Sequence, residues 1–199
     1  GHDVTCFDKN SDIGGIWLRE PSDGGQMKAY DNLMLTISMK LMAYSDHPFR
    51  EQRKFYSRAE YFDYLTSYAD RFHLNDHIQT GCEVTDIERN ENSWTVTCCR
   101  GGVESKETFD AVAVCSGPFK TPNRCIAGLA DFTGEVVHSS EYRNNDRFNG
   151  KRVLIIGLAE SGADLVREIG QVADSCTLSI RSYSFLLPRI SAHTRTTDH

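Results

Sequence analysis

A glycine-spaced turn at residues 157–162 is the part of this chain best suited to hold a phosphate. It reads Gly157-Leu-Ala-Glu-Ser-Gly162, follows the apolar run 152–156 and opens a stretch with helical periodicity. In a G-x-G-x-x-G turn the first glycine makes the turn, the second lets the backbone approach a pyrophosphate, and the third lets the helix pack on the strand. Because Ala159 takes the second position, we expect a nucleotide site with the phosphates pushed slightly outward. A strand–helix turn without ligand is the alternative.

The residue about 20 positions beyond such a turn separates the two nicotinamide cofactors, since an acidic residue favours NAD and an arginine NADP. The predicted strand 176–180 is followed by Arg181. A guanidinium offers a planar fork of donors that suits a 2′-phosphate. The sequence therefore favours NADP, and a solvated surface arginine is the alternative.

The first residues predict part of a second nucleotide unit. Residues 3–7 are typical of a short buried strand, which ends at Asp8. A carboxylate at such a position accepts the ribose hydroxyls of adenosine. Gly14 and Gly15 let the backbone pass close to a cofactor, and Trp17 adds a flat apolar wall with an N–H donor. This favours FAD over a simple turn aspartate and a core tryptophan.

Residues 132–142 spell F-x-G-x-x-x-H-x-x-x-Y, with Phe132, Gly134, His138 and Tyr142 at the fixed positions. The pattern resembles the fingerprint of flavin-containing monooxygenases, and the resemblance extends over nearly the whole chain. Further matching text, in the family's order, lies at 7–9, 13–17, 44–49, 109–112, 116–117 and 157–164.

The resemblance implies an α/β fold with two Rossmann-like, three-layer nucleotide-binding domains of the FAD/NAD(P)-binding type, both incomplete in this chain. The FAD-binding domain is expected at residues 1–144, without its first βα unit, and the NADP-binding domain at residues 145–199. The N-terminal FAD glycine motif and the C-terminal half of the family's chain are expected to lie outside this sequence.

The resemblance also implies cofactor contacts. FAD is expected to contact Asp8, Ile16 and Trp17, and NADPH to contact residues 161–164. Together with the glycine turns and the flavin-side candidate, the predicted cofactor-binding residues are Asp8, Gly14, Gly15, Ile16, Trp17, Thr36, Gly117, Gly157, Ser161, Gly162, Ala163, Asp164 and Arg181.

In this family NADPH reduces FAD and O₂ then adds to give a C4a-hydroperoxyflavin, which passes one oxygen to a soft nucleophile, N or S, of a small molecule. No protein nucleophile is needed, so His138 and Tyr142 are expected to serve structure or coupling. Many members carry an Asn near the flavin where Thr36 stands here, so a hydroxyl of Thr36 or Ser38 is the candidate donor in its place.

Three alternatives to N- or S-oxygenation stay open. The first is a Baeyer–Villiger monooxygenase. These enzymes have a related fingerprint that usually ends in Trp, so Tyr142 favours N- or S-oxygenation over this alternative. A non-catalytic, truncated nucleotide-binding remnant is the second alternative. A flavin oxidase or reductase without oxygen transfer is the third.

The composition agrees with a globular protein of 199 residues, 39% hydrophobic and 25% charged. The net charge of −6 argues against a nucleic-acid binder, and no apolar run reaches the length of a membrane span. The seven cysteines lack any C-x-x-C spacing, so we expect buried free thiols, no metal site and a cytoplasmic location.

Local patterns predict the elements that hold these residues. Ser57 and Glu60 form a capping box before a helix with apolar positions from 61 to 72. Alternation predicts strands within 78–100, a turn at 90–92 and a hairpin return over 103–108. The remaining predicted elements are a buried strand at 109–115, a strand at 152–156, a helix at about 161–170 and a strand at 176–180.

Overall fold

The computed structural model describes residues 1–18, 29–49, 55–117, 121–182, 190–191 and 195–196. Its strands are β1 (Cys6–Phe7), β2 (Ile78–Gln79), β3 (Glu83–Arg89), β4 (Trp94–Arg100), β5 (Val103–Phe109), β6 (Arg152–Ile156), β7 (Ser175–Ser179), β8 (Ile190–Ser191) and β9 (Arg195–Thr196). Its α-helices are α1 (Met39–Met42), α2 (Arg58–Arg71) and α3 (Glu160–Ile169).

The chain divides into two compact units, and each is discontinuous in sequence. Unit 1 comprises Gly1–Met27 and Phe62–Thr133, and unit 2 comprises Lys28–Tyr61 and Gly134–His199. The chain therefore passes from unit 1 to unit 2 within the fingerprint, after Thr133. The domain boundary at residues 144 and 145 stays a prediction.

Unit 1 contains a parallel pair, β1 with β2, and an antiparallel sheet of order β3-β4-β5. The predicted strands within 78–100, the turn at 90–92 and the hairpin return over 103–108 are confirmed, because β4 runs back along β3 and β5 runs back along β4. The predicted alternation is not seen in β4, where the consecutive residues Val96, Thr97 and Cys98 are all buried. The core of this unit is formed by buried Cys82, Val96 and Cys98, with Phe7, Val84, Phe109 and Val112 packed against them.

Unit 2 is built around a parallel βαβ arrangement, in which β6 pairs with β7 in register and α3 connects them. Along β6 only alternate residues, Val153 and Ile155, are partly buried, and both pack against the core. The buried residues of that core are Tyr30, Tyr142, Phe148, Leu165 and Ile169. The predicted strand–turn–helix–strand order at 152–180 is therefore confirmed within one or two residues at each boundary.

The predicted capping box at the start of α2 is also confirmed. The Ser57 amide donates to Glu60 Oε2 at 2.9 Å, and the Glu60 amide donates to Ser57 Oγ at 3.3 Å. These reciprocal bonds satisfy two donors that the helix itself leaves without a partner.

The prediction of a buried strand at 109–115 is wrong. β5 ends at Phe109, residues 111–117 are in no strand, and Val114 is 73% exposed. An apolar run of this kind forms a buried strand only when other strands pair with it and other elements cover its faces. Among the residues that the structure describes, Phe109 pairs with Trp94 and Val112 packs against the core, but no strand pairs with residues 111–117 and most of their side chains are exposed.

The opening strand is shorter than predicted and the thiols are less buried. Of residues 3–7, only Cys6 and Phe7 form β1, and Cys6 is exposed. Cys115 and Cys125 are exposed as well, whereas Cys82 and Cys98 are buried. All seven cysteines are free, as expected. The expectation that they are buried is wrong for the three exposed ones.

Candidate nucleotide-binding site

The glycine turn joins β6 to α3 with the close packing that its spacing predicts. Gly157 has φ +99°, a conformation that side-chain-bearing residues rarely adopt. A Cβ on Gly162 would lie 2.2 Å from the Gly157 carbonyl oxygen. The first and third glycines are therefore both required by the backbone, for the turn and for the approach of helix to strand.

At the middle position of the turn, the backbone conformation does not require glycine. Ala159 is the N-cap of α3 with φ −111° and ψ −169°, an extended conformation open to any residue. Its methyl side chain cannot accept from the first N–H groups of the helix, and these groups suit an anion. This helix end therefore offers donors of the kind that a pyrophosphate needs, and Ser161, in the first turn, is exposed.

Asp164 lies one turn into α3 and has a protein partner. Its Oδ2 accepts a hydrogen bond from the hydroxyl of Tyr30. Asp164 and the preceding Ala163 are each half-buried. The predicted contact of Asp164 with NADPH stays a prediction, and the structure gives this carboxylate a second, intramolecular role.

Arg181 lies two residues beyond β7 and is exposed. The Gly157 amide donates to the carbonyl of Ser179 at 2.9 Å, so the end of β7 lies beside the start of the turn. The two strands are parallel, and their carboxyl ends therefore meet at one edge of the sheet. Arg181 follows that edge, and its contact with a 2′-phosphate stays a prediction.

Asp8 follows β1 in unit 1 and makes an Asx turn. One carboxylate oxygen, Oδ1, accepts from the amide of Asn10 at 2.9 Å and from the Asn10 side chain at 3.0 Å. The Asp8 amide donates to Gln79 of β2 at 3.0 Å. This fixes the carboxylate at the carboxyl end of the parallel pair, where a ribose contact is predicted.

The glycine pair after Asp8 has a packing reason of its own. Gly14 has φ +117°, and a Cβ there would lie 2.6 Å from the ring of Phe62. Gly15 opens a 3₁₀ turn that runs to Trp17, in which Ile16 is exposed and Trp17 is half-buried. Gly117, also predicted to approach a cofactor, has φ +75° and is exposed.

Thr36 and Ser38 belong to unit 2, together with the glycine turn and Arg181. The chain before them is fixed by a backbone bond from Leu35 to the Tyr56 carbonyl at 2.8 Å. Thr36 is exposed, while Ser38 is 8% exposed and is the N-cap of α1. Asp8, Gly14–Trp17 and Gly117 lie in unit 1. A flavin contact of either hydroxyl stays a prediction.

The fingerprint histidine caps a 3₁₀ turn at 139–141. The Ser140 amide donates to His138 Nδ1 at 3.1 Å, and the His138 amide donates to Glu141 Oε2 at 3.1 Å. Because Nδ1 accepts a backbone N–H, the ring proton of the neutral histidine sits on Nε2. The geometry supports the structural role predicted for His138.

The fingerprint tyrosine contacts the helix of the glycine turn. The Tyr142 hydroxyl donates to Glu168 Oε2 at 2.6 Å, and the residue is 2% exposed. Burial, followed by this carboxylate, raises the pKa of the Tyr142 phenol well above its usual range. Its ring stacks on Phe148 and meets Tyr30 edge-on at 5.4 Å between centroids.

Two further residues contact the fingerprint tyrosine or α3, and the sequence patterns do not identify either of them as a site residue. Tyr30 and Glu168 complete a pair of phenol–carboxylate bonds on one face of α3, where Asp164 and Glu168 are four residues apart. Helical spacing places the two carboxylates on one face, but nothing local in the sequence identifies their partners. Within the described ranges, no group of three His, Cys, Asp or Glu side chains is placed to hold a metal ion.

Comparison with known proteins identifies the family. A model of the flavin-binding monooxygenase-like family matches residues 1–199. The chain is 42% identical over 197 residues to a 4-hydroxybenzoate brominase (decarboxylating) of Marinomonas mediterranea, covering 96% of this chain and 36% of that protein. It is 34% identical over 197 residues to dimethylaniline monooxygenase (N-oxide-forming) 4 of Mus musculus, covering 94% and 35%.

Solved structures agree with these sequence matches. S-allyl-L-cysteine S-oxygenase of Allium sativum is 27% identical, with a TM-score of 0.83, over 98% of this chain and 49% of that one. A steroid monooxygenase bound to NADP is also 27% identical, with a TM-score of 0.69, over 92% and 34%.

This chain therefore belongs to the flavin-binding monooxygenase-like family, and the predicted family and α/β FAD/NAD(P)-binding fold class are confirmed. FAD and NADP as a cofactor pair are confirmed for the family. The chain spans about a third of the length of the curated relatives described above. Among the helices that the structure describes, none combines the length and apolar character needed to cross a membrane.

Proposed function

We propose that this chain carries parts of the FAD and NADPH sites of a flavin-dependent monooxygenase. The complete protein would use NADPH and O₂ to oxygenate a nitrogen or sulfur atom of a small molecule. The observation that carries the proposal is the turn from Gly157 to Gly162, which has the backbone of a nucleotide turn in a member of this family. A cytoplasmic location, expected from the unpaired thiols, belongs to the same proposal.

In this proposal the two cofactors are held at the carboxyl ends of parallel strand pairs. The α3 N-terminus with Ser161 and Gly162 holds the NADPH pyrophosphate, and Arg181 contacts the 2′-phosphate. Asp8 and the 14–17 turn hold the adenosine end of FAD. When bound, the flavin accepts electrons from NADPH and activates O₂, and the chain's own part is to bind, orient and exclude water.

Transfer to nitrogen or sulfur is favoured by two of the relatives. One has a name that includes N-oxide formation, and the other is an S-oxygenase. Tyr142 at the end of the fingerprint favours the same outcome over Baeyer–Villiger insertion beside a ketone.

A second candidate function is halogenation of a phenolic acid. The 4-hydroxybenzoate brominase is 42% identical to this chain over 197 aligned residues, against 34% for the N-oxide-forming protein over the same length. Bromide is itself a soft nucleophile, so it is a chemically reasonable acceptor of the same activated oxygen.

Cofactor binding is the first test. The purified protein is mixed with FAD, freed of excess by gel filtration and examined for flavin absorbance at about 450 nm. Retained flavin that NADPH bleaches and O₂ restores supports the proposal. A colourless protein that takes up no FAD supports the non-catalytic remnant and contradicts catalysis by this chain.

Product analysis then separates the reactions. The flavin-loaded protein is given NADPH, O₂ and, in parallel, a tertiary amine, a thioether, a ketone, or 4-hydroxybenzoate with bromide. An N-oxide or S-oxide by mass spectrometry is the expected product. An ester would indicate Baeyer–Villiger oxidation of the ketone, and a brominated phenol would indicate halogenation. Stoichiometric peroxide without an oxygenated product would indicate an oxidase.

Arg181 provides the test of cofactor choice. Removing a charged hydrogen-bond donor from the 2′-phosphate should weaken NADPH binding about tenfold and leave NADH binding unchanged. We therefore expect Arg181→Ala to lower the NADPH preference in titrations with both cofactors. Arg152→Ala is the matched control, because Arg152 is exposed at the opposite end of β6. Equal losses for the two cofactors would show that Arg181 does not contact the phosphate.

A further inference from the structure

The hydrogen bond between Tyr30 and Asp164 joins two segments that the proposed function uses. It links residues 134 positions apart in the chain. Tyr30 is 7% exposed, and Asp164 lies on α3, directly after the first turn that holds Ser161 and Gly162. A buried phenol therefore fixes a side chain of the helix that follows the glycine turn.

The segment that begins at Tyr30 is fixed on both of its sides. The Asp31 amide donates to the Arg143 carbonyl at 2.9 Å, at the end of the fingerprint. Farther along, Leu35 donates to the Tyr56 carbonyl at 2.8 Å. The six residues from 30 to 35 therefore have fixed ends, and the predicted flavin-side positions 36–38 follow immediately.

The carboxylates on this face of α3 are turned toward phenols rather than toward the helix end. Asp164 accepts from Tyr30, and Glu168, one turn later, accepts from Tyr142 at 2.6 Å. Two like charges at i and i+4 repel each other, and each phenol O–H offsets part of that cost. Asp164 Oδ2 is thus already occupied by a donor of the protein itself.

We propose that Tyr30 and Asp164 are positioning residues, whose hydrogen bond holds α3 in a fixed place relative to residues 36–38. Through it, a nicotinamide nucleotide bound at the glycine turn changes the surroundings of the flavin. In this inference Asp164 acts through Tyr30 rather than by contacting the nucleotide, which replaces the contact with NADPH that the family resemblance implies. This inference rests on the proposed function of the glycine turn.

The test measures the change that NADP⁺ produces in the absorbance of the bound flavin. Flavin-loaded wild type, Tyr30→Phe, Asp164→Ala and the double variant are titrated with NADP⁺, and affinity and saturating amplitude are recorded separately. Loss of the phenol exposes Asp164 to a cleft lined by Asn32 and Arg167, so water can replace the donor and the variants should fold. Circular dichroism checks this for each variant.

We expect Tyr30→Phe and Asp164→Ala, which remove the donor and the acceptor respectively, to lower the saturating amplitude by at least half, with affinity reduced less than about tenfold. The double variant should match the single ones, because one shared interaction is lost in all three. Tyr142→Phe is the control, since it removes a similar bond to α3 that does not originate in the 30–35 segment. It should keep the wild-type amplitude.

Full amplitude in Tyr30→Phe at saturating NADP⁺ would overturn the inference. Additive losses of affinity in the double variant would also contradict it, because they would mean that Asp164 contacts the nucleotide independently of Tyr30. Failure of the proposed function has a different signature, in which wild type itself binds no flavin or shows no response to NADP⁺.

Discussion

Single residues set the geometry of the nucleotide turn, and Gly162 is the most constrained of them. A Cβ at this position would lie 2.2 Å from the carbonyl oxygen of Gly157, which is backbone and cannot rotate away. We expect Gly162→Ala to push α3 from β6, at a cost of about 1–3 kcal/mol in the free energy of unfolding. Urea unfolding followed by circular dichroism measures this loss.

The control for Gly162 is its exposed neighbour. Ser161→Ala changes a side chain in the same helical turn without approaching the backbone of the strand, so its unfolding midpoint should stay at the wild-type value. A wild-type midpoint for Gly162→Ala would show that the helix accommodates the methyl group and that the third glycine is dispensable for packing.

Tyr142 provides a pH dependence with a defined sign. Burial and the neighbouring Glu168 raise the pKa of its phenol, so the folded state holds the proton more tightly than the unfolded state. The stabilisation is complete below the unfolded pKa of about 10 and is lost as the pH rises through the folded value. The difference in unfolding free energy between wild type and Tyr142→Phe should therefore be constant up to about pH 9 and shrink as the pH rises above about 10.

Glu168→Gln separates the two causes of this pKa shift. Burial of Tyr142 remains in that variant, while the repulsion between phenolate and carboxylate is removed. The stability that Tyr142 contributes should begin to fall at the same pH as in wild type, near the unfolded pKa, but its total loss should be smaller because the folded pKa is raised less. Tyr142→Phe should lack this loss altogether. A difference between wild type and Tyr142→Phe that stays constant with pH would contradict the assignment.

At the level of elements, the 3₁₀ turn at 139–141 depends on an unusual cap. His138 Nδ1 accepts from the Ser140 amide at 3.1 Å, a task that asparagine or aspartate more often performs. We expect His138→Ala to cost about 1 kcal/mol of stability, and His138→Asn to restore most of it because an amide oxygen can accept the same N–H. Chemical unfolding of the two variants measures the effect. Equal losses in both would mean that the imidazole ring contributes by packing rather than as a cap.

The elements also show what local sequence can predict. Alternation and turn glycines predict β3 to β5, and the spacing of Gly157 and Gly162 predicts the β6–α3 connection, because each pattern expresses a contact between near neighbours in the chain. The run at 109–115 has the composition of a buried strand, but burial depends on elements that are distant in sequence. For the same reason, the bond from Tyr30 to Asp164 leaves no local trace.

On the scale of the whole molecule, the fingerprint marks a passage of the chain between two compact units. The boundary falls between Thr133 and Gly134. Phe132, on the unit 1 side, is 60% exposed, whereas Tyr142, within unit 2, is 2% exposed. The fingerprint therefore has one exposed end, at Phe132, and one end packed in a core, at Tyr142. This arrangement fits a connector between two units better than a reaction centre.

The distribution of thiols gives a whole-molecule test of this architecture. Cys115 and Cys125 are exposed, so they should react rapidly with a disulfide reagent such as dithionitrobenzoate. Cys6 is also exposed, but burial of the sulfur and the nearby Asp8 raise its pKa. Because the thiolate is the reactive form, Cys6 should react more slowly and should speed up as the pH rises.

Cys82 and Cys98 should react only after unfolding. Both lie in the core of unit 1, and burial, together with the contact with Cys82, raises the pKa of Cys98 to about 11. Mass spectrometry of the labelled native protein should find these two thiols unmodified, and denaturant should release them together because they share one core. Cys115→Ser is the control and should remove one fast-reacting group only. Early labelling of Cys98 would mean that the β3-β4-β5 sheet opens without global unfolding. This sheet could then not be the stable part of unit 1, the unit that carries Asp8.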